Sequence, residues 1–239
     1  MTVVQGGAKV ELSHGKHSVA FNASHYEKLR VLYDTAAAAP DDTTHDFCRR
    51  VYCLLLRYDI GGGGMHAAIH DSCFDILRDA FGVQLECFAS PFNCRFPAFC
   101  SAFPDTDAAF GSVGSFFDLE VKEGSFEANP PFVPRLVEAM TARMNTLLYG
   151  ATGAMSFVVI VPAWRLKDGW RALNTSKFKT DALVLPQAAH GYTEGSQQWR
   201  GTHYRISTCD TSVFWLQNEA GAAKWPVTDD AKAALTVAF

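Results

Sequence analysis

The sequence predicts an α/β protein built on a doubly wound, mostly parallel β-sheet, and three features lead to this prediction. Strand-like and helix-like segments alternate along most of the chain, which is the order of a sheet covered by helices on both faces. Residues 156–161 form a nearly continuous apolar run, as buried parallel strands do. A strand-like segment ending at Ala128 is joined by a stiff turn to a helical pattern beginning at Pro134.

Length and composition are those of an ordinary globular protein. The chain has 239 residues, of which 48% are hydrophobic and 19% are charged. We predict a short N-terminal helical segment, residues 1–56, packed on a main domain that spans residues 57–239.

The seven cysteines favour free thiols in a reducing compartment, because their number is odd and their spacing is irregular. The sequence contains no Cys-x-x-Cys pair, which is a common sign of a zinc site, so we expect no metal. No apolar run reaches the roughly 18 residues of a membrane span, and no signal peptide pattern opens the chain. We therefore expect a nuclear or cytoplasmic protein with no membrane contact.

The net charge of −4 does not suggest nucleic acid, but the charges are unevenly distributed. Residues 101–128 contain six acidic residues and one basic residue, whereas residues 133–209 contain nine basic and four acidic residues. A local basic face can bind a phosphate backbone even on an acidic chain. An ordinary solvated surface is the alternative.

Two helical patterns precede the main domain. Residues 1 to about 20 have no strong period and are expected to form a frayed or strand-like lead-in. Ser24-His25-Tyr26-Glu27 matches the Ser-x-x-Glu capping box, which predicts a helix from there to Pro40. A second helix is predicted over residues 44–58.

Four consecutive glycines, beginning at Gly61, precede a helical pattern over residues 69–80. Glycine lets the backbone approach a ligand closely at a helix N-terminus, which makes Gly61, Gly62 and Gly63 candidate cofactor-binding residues. The Gly-x-Gly-x-x-Gly spacing is absent, so a flexible connector explains them about equally well.

Polar residues at two strand ends are candidates to bind a nucleoside. Residues 83–89 are predicted to form a buried strand, and Ser90 or Asn93 in the turn after it is placed to meet a ribose at the tip of the second strand of the fold. Residues 115–119 are predicted to form the next strand. Its Asp118 is a candidate to accept a hydrogen bond from the amino group of a bound adenine, with a solvated acid as the alternative.

The turn Asn129-Pro130-Pro131-Phe132 is the strongest functional signal in the chain. Consecutive prolines stiffen the backbone and hold the residue before each of them extended. The Asn129 amide oxygen and the Pro130 carbonyl can then accept hydrogen bonds from one exocyclic amine while Phe132 stacks on the base. An amine so weakly basic needs positioning more than a strong base. A proline-rich loop whose asparagine only caps the next helix is the alternative.

The second half of the chain continues the alternation. A helix is predicted over residues 134–148, with Pro134 at its first position. The strand at residues 156–161 ends in a loop, residues 162–165, near the predicted site. Strands are also predicted over residues 182–186 and 211–216, with an antiparallel addition to the sheet near its end.

Several runs of sequence resemble a known family. The longest are FASPFNC at residues 88–94, CSAFPDTD at residues 100–107 and GSFEANPPF at residues 124–132. They are similar to the methyltransferase domain of the phosphorylated-CTD-interacting factor family, the cap-specific mRNA adenosine-N6 methyltransferases. The resemblance covers roughly residues 57–239.

This resemblance implies the Rossmann-like fold of class I S-adenosylmethionine-dependent methyltransferases. It implies S-adenosyl-L-methionine as the donor and the N6 amine of an RNA adenosine, with the cap-adjacent nucleotide of mRNA expected, as the acceptor. In the family the Asn-Pro-Pro-Phe motif holds the target adenine, which makes Asn129, Pro130, Pro131 and Phe132 the catalytic residues. Asp118 matches the acid that related methyltransferases place against the cofactor adenine. Such enzymes take the base out of its stack.

The chain departs from the family in two respects. It has no WW module, and residues 1 to about 56 are too short for the large helical domain that helps form the cap-binding groove. We expect it to read a different RNA, to bind the cap with less help, or to take the missing surface from a partner protein subunit. The RNA path is predicted to follow a basic groove of Arg165, Lys177, Lys179, Arg200 and Arg205.

Two other functions are the alternatives. A non-catalytic RNA- or protein-binding subunit would keep the fold, but it would be free to lose Asn129, Phe132 and Asp118, which are all present. An adenine-N6 methyltransferase acting on DNA or on another RNA is the second, because Asn-Pro-Pro-aromatic turns serve both polymers. The resemblance outside the motif favours RNA.

Overall fold

The chain folds into a central six-stranded sheet with helices on both faces and a smaller N-terminal unit of strands and helices. The computed structural model describes residues 2–36, 44–59, 67–194 and 204–239. Within these ranges the strands are β1 (Thr2–Gly6), β2 (Lys9–His14), β3 (His17–Asn22), β4 (Ala67–Ala68), β5 (Leu85–Ala89), β6 (Phe99–Ser101), β7 (Gly124–Ala128), β8 (Met155–Pro162), β9 (Lys179–Leu185), β10 (Gly191–Glu194), β11 (Tyr204–Ile206) and β12 (Thr211–Gln217). The helices are α1 (Ala23–Ala36), α2 (Thr44–Asp59), α3 (Asp71–Phe81), α4 (Pro104–Asp107), α5 (Pro134–Gly150), α6 (Asp168–Asn174), α7 (Glu219–Lys224) and α8 (Asp229–Ala238).

The central sheet confirms the predicted α/β fold. Its strand order is β6-β5-β7-β8-β12-β9. Strands β6, β5, β7 and β8 are parallel, and β12 runs antiparallel between β8 and β9. The chain passes from β5 to β6 on one side and returns to β7 on the other, so the direction of winding reverses at β5. Doubly wound sheets bind ligands at the carboxyl ends of the strands beside such a switch point.

Helices bury both faces of this sheet. On one face Met140 of α5 belongs to the same core as Phe157 of β8. On the other face Leu77 of α3 and Leu235 of α8 share a core with Trp215 of β12. Strands β8 and β12 are buried along their whole length. This explains why residues 156–161 are continuously apolar instead of alternating.

A glycine and a tryptophan close the end of α3. Gly82 follows the helix with φ +65°, and its N–H donates to the carbonyl of Arg78 at 3.0 Å. A Cβ at Gly82 would lie 2.2 Å from Nε1 of Trp225. The left-handed turn and the close packing of the indole therefore both require glycine at this position.

Within the described residues, the N-terminal unit contains three strands besides its two helices, which agrees with the strand-like form of the lead-in predicted for residues 1 to about 20. β1, β2 and β3 form an antiparallel meander, which with α1 and α2 encloses a core containing Phe21 and Phe47. Phe92 and Phe110 from the main domain join this core. In β2 only Val10 and Leu12 are buried, so the alternation is too short to give a strong periodic signal. Because α2 continues to Asp59, the predicted boundary after residue 56 falls inside a helix.

The predicted strand at residues 115–119 is wrong. Phe116–Asp118 form a 3₁₀ helix, capped by Ser115 Oγ, which accepts a hydrogen bond from the Phe117 N–H at 3.2 Å. The rings of Phe116 and Phe117 both pack against Phe88 and form part of the cavity wall described below. These apolar residues are therefore not part of a β-strand. The strand that pairs with β5 on this side is β6, whose three residues are too few to give a sequence pattern.

The described residues show neither a membrane span nor a metal cluster. No helix among them combines the length and the apolar composition that crossing a bilayer requires. No group of three or more histidine, cysteine or acidic side chains among them is arranged to bind a metal ion. All seven cysteines are free thiols, and burial raises the pKa of Cys73 and Cys100 to about 12.

Candidate active site

A cavity of about 360 Å³ opens at the carboxyl ends of β5, β6 and β7, beside the switch point of the sheet. Its size is within the range of small-molecule sites. Aromatic side chains form much of its wall, namely Tyr58, Phe88, Phe103, Phe116 and Phe117. Polar residues also line it, namely Ser90, Asn93, Ser101, Ser115 and Asn129. This combination of flat apolar surfaces and a few polar groups suits a nucleoside.

Asn129 follows β7 directly and lines this cavity. Its Nδ2 donates a hydrogen bond to the carbonyl of Ala67 at 3.2 Å, which fixes the direction of the amide. Its Oδ1 is buried and has no hydrogen-bond partner among the described residues. Leaving such an acceptor unpaired costs about 1–3 kcal/mol. A ligand that carries a hydrogen-bond donor would satisfy this oxygen.

The structure does not support the alternative in which Asn129 caps the next helix. The N-cap position of α5 is Val133, and no side chain caps that helix. Pro134 occupies the first turn of the helix, as the sequence predicted.

The rest of the turn is rigid. Pro130 is buried, whereas Pro131 lines the cavity and its carbonyl accepts from the Val133 N–H at 2.6 Å. The ring of Phe132 lies edge-on to Tyr192, with centroids 5.9 Å apart, and to Trp164, with centroids 6.4 Å apart. Phe132 does not line the cavity itself, so its stacking on a base stays a prediction.

A buried chain of hydrogen bonds anchors Tyr192 behind Phe132. The Tyr192 hydroxyl lies 2.7 Å from Oγ1 of Thr211, which lies 2.8 Å from Nε2 of His190. Nδ1 of His190 lies 2.7 Å from the carbonyl of Pro186. Because a carbonyl only accepts, Nδ1 carries a proton, and in the neutral ring Nε2 then accepts from Thr211, which accepts from Tyr192. Every member of the chain is satisfied, so Phe132 has a fixed support.

The turn after β5 is held by its own side chains. Asn93 Oδ1 lies 2.7 Å from the Ser90 N–H and 2.9 Å from Ser90 Oγ, and it accepts from both. Both residues line the cavity. The sequence predicts that Ser90 or Asn93 meets a ribose because their strand is expected to be the second of the fold. However, β5 is the first strand of the central sheet in chain order, so this reason for the prediction is wrong. Their contact with a cofactor stays a prediction.

The tip of the second strand, β6, leads to an acid that sequence reasoning missed. Asp107 is fully buried, and its carboxylate accepts hydrogen bonds from the Tyr58 hydroxyl at 2.5 Å and from Thr106 Oγ1 at 3.0 Å. Burial raises the pKa of Asp107; burial and then the charge of Asp107 raise the pKa of Tyr58. Tyr58 and Ser101 carry this polar network to the cavity. A ribose-binding acid is typical of this strand tip.

Asp118 lies near the cavity but not in its wall. It is exposed at the end of the 3₁₀ helix whose Phe116 and Phe117 line the cavity. It is therefore not at a strand end, as the sequence predicted. Its contact with a cofactor adenine stays a prediction.

The predicted glycine cluster, Gly61, Gly62 and Gly63, lies outside the described residues. Tyr58 before it and Ala67 after it both line the cavity. Ala67 is also the residue that accepts the hydrogen bond from Asn129.

Two buried glutamates lie side by side on the neighbouring strands β5 and β7. Glu86 and Glu127 are register partners on these parallel strands. Glu86 Oε1 accepts from the backbone N–H groups of Arg95 at 2.6 Å and Phe96 at 2.9 Å, whereas Glu127 Oε1 is buried without a partner among the described residues. Burial raises the pKa of Glu86 to about 7, and burial followed by the charge of Glu86 raises the pKa of Glu127 well above its usual value. Burial therefore favours the protonated form of the Glu127 carboxyl.

The structure describes four of the five residues of the predicted basic groove, and these four do not lie together. Arg165 follows the end of β8 at the same sheet edge as the cavity, and Arg205 lies in β11 of the small sheet that contains β4. Lys177 and Lys179 lie at the opposite edge, because Lys179 pairs with Leu216 at the far end of β12. A single groove through all five is therefore wrong for these two lysines, and Arg200 lies outside the described residues. Charge counts along the chain carry no information about which edge of a sheet a residue reaches.

The fold and the cavity define a class of protein. This is a Rossmann-like α/β protein of the methyltransferase type, with an antiparallel strand inserted between two strands of the same direction and a nucleoside-sized cavity at the switch point.

Within this class, the chain belongs to the family described as Phosphorylated CTD interacting factor 1 WW domain, whose profile matches residues 28–195. The matched residues extend from α1 to β10 and include the parallel strands of the central sheet, so the match is not confined to a small WW module. It begins before residue 57, where the sequence resemblance was expected to start.

Two curated relatives carry the same name. They are the proteins called mRNA (2'-O-methyladenosine-N(6)-)-methyltransferase from Mus musculus and from Homo sapiens, 39% and 38% identical over 233 residues. The match covers 92% of this chain and 33% of each relative. The chain thus spans about a third of the length of the curated relatives it matches.

A solved structure from Thermoplasma acidophilum also matches, at 13% identity and a TM-score of 0.32. The match covers 81% of this chain and 97% of that one. A TM-score this low does not indicate a shared fold.

Proposed function

We propose that this chain is an S-adenosyl-L-methionine-dependent methyltransferase that acts on the N6 amine of an adenosine in RNA, with the cap-adjacent nucleotide of mRNA as its target. The unpaired Oδ1 of Asn129 carries the proposal. It is a buried acceptor on a fixed amide, next to a nucleoside-sized cavity, at the position that doubly wound folds use for ligands.

The residues of the site suit this chemistry. Asn129 Oδ1 and the carbonyl of Pro130 accept hydrogen bonds from the exocyclic amine, which localises its lone pair and orients it. Phe132, backed by Tyr192, stacks on the purine. The work of the protein is then positioning and electrostatic stabilisation, without a strong general base.

The cavity suits a nucleoside-based methyl donor. Its aromatic wall fits an adenine, and Ser101 and Tyr58, whose hydroxyl is held by the buried Asp107, offer polar contacts for a ribose. Ser90 and Asn93 lie at the switch point, where the methionine part of S-adenosyl-L-methionine would be held. When bound, this cofactor supplies the electrophilic methyl group.

The RNA and the cap are supported by the relatives and not by the geometry. Both relatives are named for methylation of a 2'-O-methyladenosine in mRNA. We propose the same substrate class here, in a nuclear or cytoplasmic protein, with a partner protein subunit as one source of additional cap-binding surface. A purely RNA-binding role is disfavoured because the unpaired Asn129 oxygen has no purpose in it.

Incubation of the chain with labelled S-adenosyl-L-methionine and short nucleic acids tests the proposal. We expect transfer to capped RNA that begins with adenosine, and less transfer to uncapped RNA or to DNA of the same sequence. Replacing Asn129 by alanine should lower kcat by about 100-fold or more, as loss of one preorganised group commonly does.

Asn145→Ala is the matched control. Asn145 is another asparagine with a side-chain hydrogen bond, in its case through Oδ1, which accepts from Ser176 Oγ at 2.6 Å, and it lies on α5 away from the cavity lining. Its loss should change thermal stability but not kcat. Methyl transfer that is unchanged in Asn129→Ala would refute the role given to Asn129, and absence of transfer to every nucleic acid would refute the proposed function.

A further inference from the structure

The loop between β8 and α6 projects at the cavity edge of the sheet and has the composition of a nucleic-acid contact. We call residues 163–167, with the sequence AWRLK, the β8–α6 loop. Trp164, Arg165, Leu166 and Lys167 are all exposed. An exposed aromatic ring followed by two cations is a combination that suits single-stranded RNA, because the ring can stack on a base and the cations attract phosphates.

Packing does not account for the position of Trp164. Its side chain is 38% exposed, and it belongs to none of the three core clusters. Yet its ring contacts Phe132, the aromatic residue of the Asn-Pro-Pro-Phe turn, at 6.4 Å between centroids. Tyr192, which also contacts the ring of Phe132, is 6% exposed and is hydrogen-bonded to Thr211. Phe132 therefore already packs against a buried, fixed side chain without Trp164.

The loop is rigid although it is exposed. The Trp164 N–H donates to the carbonyl of Pro162 at 2.7 Å, and the Lys167 N–H donates to the carbonyl of Trp164 at 2.8 Å. The Ala163 N–H is bonded to the carbonyl of Asp210 at 2.8 Å. The side chains are therefore displayed on a fixed backbone, which lowers the entropy cost of binding.

The charges of the loop are available to a partner. Arg165 and Lys167 form no ion pair within the part of the chain that the structure describes. Asp168 follows them at the start of α6, so the loop keeps a net positive charge. A polyanion is the complementary occupant.

We infer that the β8–α6 loop binds the RNA beside the methylated adenosine, with Trp164 stacking on a neighbouring base and Arg165 and Lys167 contacting its phosphates. This rests on the proposed function for the identity of the partner. It assigns to Trp164 a role in substrate binding that is separate from the catalytic turn.

Binding and transfer by Trp164 variants test the inference. The Kd for a fluorescent capped RNA is measured without donor, and KM and kcat are measured with donor. Trp164→Ala should raise Kd and KM about 5- to 150-fold, the equivalent of one lost stacking interaction, with a smaller change in kcat. Trp164→Phe should recover most of the loss. Tyr149→Ala is the control, because it removes an exposed aromatic side chain near the C-terminus of α5, at the end of that helix far from the cavity.

Substrates that lack one base show whether Trp164 acts by stacking. RNAs with an abasic site on either side of the adenosine are compared in the wild type and in Trp164→Ala. For one of the two abasic RNAs, the wild type should bind as weakly as Trp164→Ala binds the intact RNA. The variant should bind that abasic RNA about as well as it binds the intact RNA. Effects that add fully for both RNAs would overturn the stacking role.

The phosphate contacts are tested by salt dependence. Arg165→Ala combined with Lys167→Ala should reduce the slope of log K against log salt by about 1.4 in total, since each contact with a single strand contributes about 0.7. Lys122→Ala combined with Lys224→Ala removes two exposed charges from the opposite sheet edge and should leave the slope unchanged.

The outcomes separate the two proposals. A wild-type chain that methylates RNA while Trp164→Ala keeps its Kd and KM would overturn this inference alone. A wild-type chain that neither binds nor methylates RNA would overturn the proposed function together with it.

Discussion

The side-chain amide of Asn129 has one hydrogen-bonded atom, Nδ2, and one atom without a partner among the described residues, Oδ1. Its nitrogen is held by Ala67, and its oxygen is buried without a partner in the described chain. The sequence predicted this residue because two prolines after an asparagine restrict the backbone in a recognisable way. It could not predict Ala67, because that contact joins residues 62 positions apart.

At the same scale, the paired glutamates Glu86 and Glu127 make the stability of the protein depend on pH. Both carboxyls have a folded-state pKa above the unfolded value, so each binds its proton more tightly in the folded state. The stabilisation is complete below about pH 4.5 and is lost as the pH rises through the folded values, about 7 for Glu86.

We predict that Glu127→Gln makes stability less dependent on pH. The wild type should become less stable between pH 5 and pH 8, by on the order of 1.4 kcal/mol for each unit of pKa shift. The variant cannot ionise at position 127, so the contribution of the Glu127 carboxyl to the pH dependence is lost and the decline should be smaller. Urea unfolding across this pH range measures the difference. Profiles that stay parallel would contradict the prediction; Glu138→Gln, an exposed glutamate on α5, controls for loss of a surface charge.

At the scale of elements, the end of α3 depends on one glycine. Gly82 has φ +65°, and the Trp225 indole covers the position where a Cβ would lie. We predict that Gly82→Ala destabilises the fold by at least about 1–2 kcal/mol from the backbone alone, with a further cost from moving Trp225. Thermal or urea unfolding measures this loss.

Gly150→Ala provides the comparison. Gly150 is the last residue of α5, and a Cβ there would meet nothing within 4 Å. Alanine should leave stability unchanged or raise it by about 0.4–1 kcal/mol. Equal losses in the two variants would show that the turn and the indole are not the cause.

Elements with long patterns were predictable, and short elements at the site were not. The helix at α5 and the buried strand β8 have 17 and 8 residues, enough to reveal a period or a continuous apolar run. β6 has only three residues, and the phenylalanines of the 3₁₀ helix imitate a strand. The Tyr58–Asp107 pair escaped detection for the same reason, because it depends on where β6 lies in the sheet.

On the scale of the whole molecule, the two edges of the sheet have different roles. The cavity and the β8–α6 loop lie at the carboxyl edge, whereas Lys177 and Lys179 lie at the other. Lys177 rests on the rings of Tyr149 and Phe178, and Lys179 bonds to Asn174, so both have local contacts.

We therefore predict that Lys177→Glu combined with Lys179→Glu leaves RNA affinity and its salt slope nearly unchanged. Arg165→Glu should weaken binding and lower the slope, since it acts at the cavity edge. Fluorescence anisotropy at several salt concentrations measures both. A large effect of the lysine substitutions would restore the basic groove that the sequence predicted and contradict the separation of the two edges.

The position of β12 also bears on how the protein is made. Among the strands that the structure describes, β9 pairs only with β12, which lies between β9 and β8 although it is synthesised after both. Since synthesis proceeds at about 5–20 residues per second, β8 and β9 are both made about 2–6 seconds before β12 is complete. During that interval the unpaired edges of β8 and β9 are exposed to chaperones and to incorrect strand pairing. Both edges are paired at the same time when β12 inserts between them.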